Sequence, residues 1–235
     1  MISILPKRRR TTVSSKKRKY RFLPQKKLPR CALVISGTAV FILLLCVVIS
    51  FFWQGGQEEK SDKILPQINI QTKLLKKNKY SRPGLPLKKV RGIVVHYTAN
   101  PGTDAMDNRN YFNNLPKTNK GKEQKTYASS HFIIGLEGQI VQCIPLEEMS
   151  YASNDRNSDT ISIECCHPDA TGKFNTVTYQ ALLELTTYLC IKYDLDEGDL
   201  LRHYDVTGKL CPLYFVEHES EWEKFLVQLK KRLVG

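Results

Sequence analysis

The residues best suited to chemistry are His203 and Cys211, eight positions apart in the stretch HYDVTGKLC. An imidazole and a thiolate are ligands that Zn²⁺ favours, and a turn between them, marked by Gly208, brings both to one ion. A third ligand is needed. His96 supplies a candidate, because it leaves the β-branched run VRGIVVHY (90–97) where a strand end opens towards a cleft. Two His and one Cys leave one position for water, the pattern of a catalytic rather than a structural zinc site. Glu164 is the candidate general base. It lies in TISIEC (160–165), where alternation puts it on the face opposite Ile161, Ile163 and Cys165. A solvent-facing strand residue satisfies the same pattern. Lys209, two residues before Cys211, is placed to steady an oxyanion, although a solvated loop lysine is the commoner case. His131, after Ser129 and Ser130, is a candidate substrate contact or a hydrogen-bonded core residue. His167 and His218 have loop neighbours and read as incidental.

These groups need elements to hold them. Beyond the strand at 90–97, Asp104–Leu115 reads as a short helix capped by Thr103 or Asp104. Two apolar runs, 131–135 and 139–144, are separated by Leu-Glu-Gly and suggest a hairpin. Tyr179–Tyr193 carries a helical stripe with Thr178 as a candidate N-cap. Glu219–Val234 is amphipathic, with acids in its first turn and Lys230, Lys231 and Arg232 near its end, which suits the helix dipole. Lys117–Thr126 reads as an exposed loop. The expected class is α/β, a central mixed β-sheet flanked by helices.

The net charge of +13 belongs to one end of the chain. Of 36 Lys and Arg, 12 fall in the first thirty residues, which hold no acid, so 24 remain against 23 Asp and Glu. Residues 31–53 contain no charge in 23 positions, and as a helix they span about 34 Å, enough for a bilayer core. The run is longer than a signal-peptide core and no small-x-small site follows it. The expectation is an uncleaved transmembrane signal anchor at 31–53 behind a basic cytoplasmic tail at 1–30, with the rest outside. Residues 54–66 are a polar tether, and 67–235 form the extracytoplasmic domain. The basic tail is better explained by its place beside the span than by nucleic acid, so no nucleic-acid partner is expected. The cysteines of the domain, Cys143, Cys165, Cys166, Cys190 and Cys211, allow no disulfide assignment, and adjacent Cys165 and Cys166 point to opposite faces of a strand.

The segments GIVVHYTANPG (92–102), SSHFIIGLEGQIVQCIP (129–145), DTISIEC (159–165) and HYDVTGKLCP (203–212) resemble, in order, the zinc-dependent N-acetylmuramoyl-L-alanine amidases of the type-2 amidase family. The family includes phage endolysins, bacillus-type autolysins and peptidoglycan recognition proteins. The resemblance implies zinc on His96, His203 and Cys211, a catalytic Glu at Glu164, and, as in some phage members, a Lys at Lys209. Those phage members also carry a Tyr where this chain has Ser130, which directs proton transfer to Glu164. The implied substrate is peptidoglycan at the outer side of a bacterial cell membrane. The competing reading is a module that binds the wall without cleaving it; such members have replaced the Cys ligand, which is retained here.

Overall fold

The computed structural model describes residues 64–234, together with Phe41, Ile42 and Leu45. The tail, nearly all of the apolar run at 31–53 and most of the tether therefore lie outside the described residues. Among the described residues no helix is long and apolar enough to cross a membrane.

Six strands form one mixed sheet. In chain order they are β1 (Ile70–Thr72), β2 (Ile93–Tyr97), β3 (Phe132–Ile134), β4 (Ile140–Gln142), β5 (Ile161–Cys165) and β6 (Leu200–Arg202). Across the sheet the order is β1-β4-β3-β5-β2-β6. All neighbours are parallel except β3 and β4, which form the expected hairpin. β1 and β6, each of three residues, were not anticipated; they are too short for alternation to stand out.

The helices are α1 (Ala105–Thr118), α2 (Thr176–Tyr193), α3 (His203–Thr207), α4 (Leu213–Glu217) and α5 (Glu219–Val234). α1 begins at the expected cap, Asp104, whose N–H donates to the Asp107 carboxylate (3.0 Å). It runs one turn further than expected, past Pro116. α2 starts earlier than its apolar stripe suggests. Its cap is Asn175, whose side chain accepts the Thr178 N–H (2.8 Å), so Thr178 is an N3 residue rather than the cap. α5 matches the sequence expectation.

The strands divide their side chains between two faces. Ile93 and Val95 of β2, Ile161 and Ile163 of β5, and Phe132 and Ile134 of β3 join one large core under α2 and α5, which contribute Leu182, Leu185, Phe225 and Leu229. On the other face, Ile133 and Val141 pack with Ala105 and Phe112 of α1 in a smaller core. α1 lies over β3 and β4, which leaves the cleft-facing side of β2 and β5 open. Cys165 belongs to the first core and Cys166 to the second. All five cysteines of the domain are buried and none is in a disulfide.

Candidate metal centre and active site

Three parallel strands, β5, β2 and β6, end on the same edge, the usual place for a site in an open α/β sheet. The register fixes what meets there. His96 of β2 pairs with Glu164 of β5, and Glu164 pairs with Ile133 of β3. Val95 pairs with Arg202, so His203 follows β6 one step beyond, beside His96. Laterally registered residues face the same way, so the row places two imidazoles and a carboxylate on the cleft side.

Cys211 arrives by a local fold-back. Gly208 closes α3 in the left-handed conformation (φ 75°), which a glycine adopts without a Cβ penalty. The Tyr204 N–H then donates to the Cys211 carbonyl (2.9 Å), laying residue 211 beside the start of α3. Arg202 anchors the base of this loop. It is buried, bonds the Phe215 carbonyl, and pairs with Asp205 (2.8 Å) and Glu219.

His96, His203 and Cys211 are each buried and each offers a ligand atom within 4.8 Å of the others. The Cys211 Sγ is 3.8 Å from His96 Nδ1, and the two rings lie 4.6 Å apart. Neither ring nitrogen of His203 has a hydrogen-bond partner although both are buried, and Glu164 Oε2 is in the same condition. Buried polar atoms are normally satisfied, so this group of orphans points to something it is built to hold.

The electrostatics agree. Burial, then the repulsion that a protonated His203 would exert, then Lys209, hold the His96 pKa well below the ordinary imidazole value. Burial and then Lys209 lower that of His203. Both rings are thus neutral donors with a lone pair to give. Burial, then Glu164, pushes the Cys211 thiol up to about 12; it becomes a thiolate only with a cation beside it. Burial raises Glu164 to about 8 against the opposing pull of Lys209, a poise suited to a proton carrier near neutral pH.

These groups open on a cleft of about 450 Å³, lined also by Tyr97, Tyr127, Tyr151 and Lys209. Lys209 is exposed at its edge. The three tyrosines were not singled out by sequence; they sit beside strand ends or in loops, where an aromatic residue carries no periodicity.

His131 is the exception among the sequence-derived candidates. Of its two sequence readings, substrate contact or hydrogen-bonded core residue, the structure takes the second: it is fully buried and absent from the cleft lining. Its Nδ1 lies 3.0 Å from the backbone N–H of Ser162, which donates to it, and its Nε2 lies 2.9 Å from the Glu148 carbonyl. Both nitrogens are therefore spent inside the fold, and burial lowers its pKa to about 4. Its contribution is to pin Ser162, two residues before Glu164. Ser130 is also buried, bonding the Phe132 carbonyl (2.7 Å).

The family described as N-acetylmuramoyl-L-alanine amidase matches residues 86–213, which span all of these positions. The chain belongs to this amidase family. It is 35% identical over 170 residues to N-acetylmuramoyl-L-alanine amidase CwlL of Bacillus licheniformis, covering 67% of this chain and 46% of that protein. It is 32% identical over 179 residues to N-acetylmuramoyl-L-alanine amidase BlyA of Bacillus subtilis (strain 168), with the same coverage. The chain thus spans about half the length of these relatives. Among solved structures, a mutant endolysin from Bacillus subtilis superposes with a TM-score of 0.57 at 27% identity, covering 69% of this chain and 99% of that one. PlyL superposes with the same TM-score at 24% identity, covering 69% of this chain and 98% of that one, and shares the fold.

Proposed function

We propose that this protein is a zinc amidase that hydrolyses the bond between N-acetylmuramic acid and L-alanine in peptidoglycan, held at the outer face of a bacterial membrane by residues 31–53. The observation that carries the reading is the convergence of His96, His203, Cys211 and Glu164 on one cleft at the carboxyl edge of the sheet.

The donor set fits zinc. Two buried imidazoles and one thiol, with ligand atoms all within 4.8 Å of one another and 3.8 Å between His96 Nδ1 and Cys211 Sγ, would hold the ion. An ion bound by His96, His203 and Cys211 would supply Lewis-acid chemistry to water and to the scissile carbonyl. The protein's own groups do the rest. Glu164, whose Oε2 faces no other partner, takes the proton of the attacking water and returns it to the departing alanine nitrogen. Lys209, at the cleft edge, donates to the carbonyl oxygen as charge develops on it.

The location rests on the basic tail and the uncharged run of 23 residues. A tether of thirteen residues reaches at most about 45 Å, which favours work on wall close to the membrane. Purified protein incubated with sacculi is expected to release intact stem peptides with a free L-alanine amino terminus, read by mass spectrometry, in a chelator-sensitive manner. Wall binding without peptide release would reduce the protein to a recognition module.

A further inference from the structure

The two histidines of the centre are not equivalent. His203 has no partner on either ring nitrogen. His96 has one: its Nε2 lies 3.3 Å from the hydroxyl of Ser153, while its Nδ1 faces Cys211. A neutral imidazole carries its proton on one nitrogen and a lone pair on the other, and a metal takes the lone pair.

We propose that Ser153 is a positioning residue for the metal, accepting the Nε2 proton of His96 and so keeping the Nδ1 lone pair turned to the centre. The inference rests on the zinc reading for its purpose, but the tautomer it assigns is a property of the protein alone. The opposite arrangement, Ser153 donating to Nε2, would put the proton on Nδ1 and close the ligand atom nearest the thiol.

Ser153 is well built for this. It is buried beside the cleft, ahead of a 3-10 turn at Asn154–Ser158. Its own N–H donates to the Asn157 side chain (2.6 Å), which also takes the Ala152 N–H (2.9 Å). Its carbonyl accepts from Arg156 N–H (2.9 Å). The hydroxyl is therefore placed by a turn that makes no use of the imidazole, and it is present before any metal arrives. The second contact of a metal-bound histidine sets both its tautomer and its ring orientation, and removing such a contact typically costs metal affinity. The asymmetry has a consequence: His96 is set in advance, whereas His203 is ordered by the metal itself.

The test uses the full chain labelled with ¹⁵N-histidine, and Ser153→Ala and Ser153→Thr variants. In the metal-free parent, His96 is expected as the Nε2–H tautomer, with Nδ1–H appearing in Ser153→Ala. Zinc affinity, measured by chelator competition, is expected to fall roughly 10–100-fold in Ser153→Ala and to stay near the parent in Ser153→Thr, which keeps the hydroxyl. The metal-free Ala variant should still fold cooperatively, read by its thermal melt, so that a loss of affinity is not a loss of folding. A parent His96 protonated on Nδ1, or a Ser153→Ala protein that binds zinc as tightly as the parent, would overturn the proposal. A parent that bound no zinc would sink the zinc reading, and the tautomer measurement would still decide the role of Ser153.

Discussion

The same two strands carry opposite chemistry on their two faces. On one side of β2 and β5 stand Ile93, Val95, Ile161 and Ile163, sealed under α2 and α5 with no exposed surface. On the other stand Val94 and His96 of β2 and Ser162 and Glu164 of β5, a mostly polar face away from α1, which packs on β3 and β4. The first face spends its burial on stability. The second is also buried but leaves Glu164 Oε2 and both nitrogens of His203 without partners. Burial of unsatisfied polar atoms is costly, so the cleft face draws on the dry one, whose aromatic packing includes Trp222 stacked on Phe225. The comparison separates what stabilises this protein from what it does.

That separation can be broken at defined points. Cys211→Ala should have the largest effect, abolishing both metal retention and amide hydrolysis, because two imidazoles alone leave the centre a ligand short. Metal analysis and product release would be measured together. Glu164→Gln should keep the metal and lower turnover by about 10²–10⁴-fold, the usual contribution of a general base; near-parent turnover would remove Glu164 from the mechanism. On the dry face, Phe225→Ala should cost about 3–5 kcal/mol in denaturant unfolding while the remaining folded fraction keeps the metal affinity of the parent. Joint loss of affinity per folded molecule would show that the two faces are coupled.

A smaller effect is expected behind the cleft. The Arg82 guanidinium, by hydrogen bond and then by charge, lowers the pKa of Glu148 against its burial, with a paired contact at 2.8 Å. A depressed carboxylate contributes stability that is complete above its unfolded value, near 4.5, and is lost as pH falls through the folded value. Glu148→Gln should therefore cost about 1–2 kcal/mol at neutral pH and flatten the acid side of the stability profile. Lys209→Ala should be the mildest change to the cleft, lowering turnover about tenfold, or about 1.4 kcal/mol, since the lysine is exposed and acts at the edge.

The candidate metal ligands were legible because chemistry restricts them: few residue types bind zinc, and His203 and Cys211 lie close in sequence. Glu164 was legible because a carboxylate interrupts an apolar strand. His131 shows the limit. A histidine at a strand opening suits a cleft or a core equally, and only the positions of Ser162 and Glu148 decide that both nitrogens are consumed internally. Ser153 and the cleft tyrosines had no signal at all, since a hydroxyl in a polar loop has no period and no charge.

By itself the sequence determined the alternation that sorts β5 into two faces, the continuous β-branched run of β2, the helical stripe of α5, the hairpin of β3 and β4, and the candidate ligands. These follow from local periodicity and from the narrow chemistry of metal binding. The tertiary structure alone decided that β6 lies beside β2, so that His203 meets His96 across 107 residues of chain, and that Ser153 reaches the far side of the same ring. Strand order and loop placement depend on long-range packing, which no local pattern encodes.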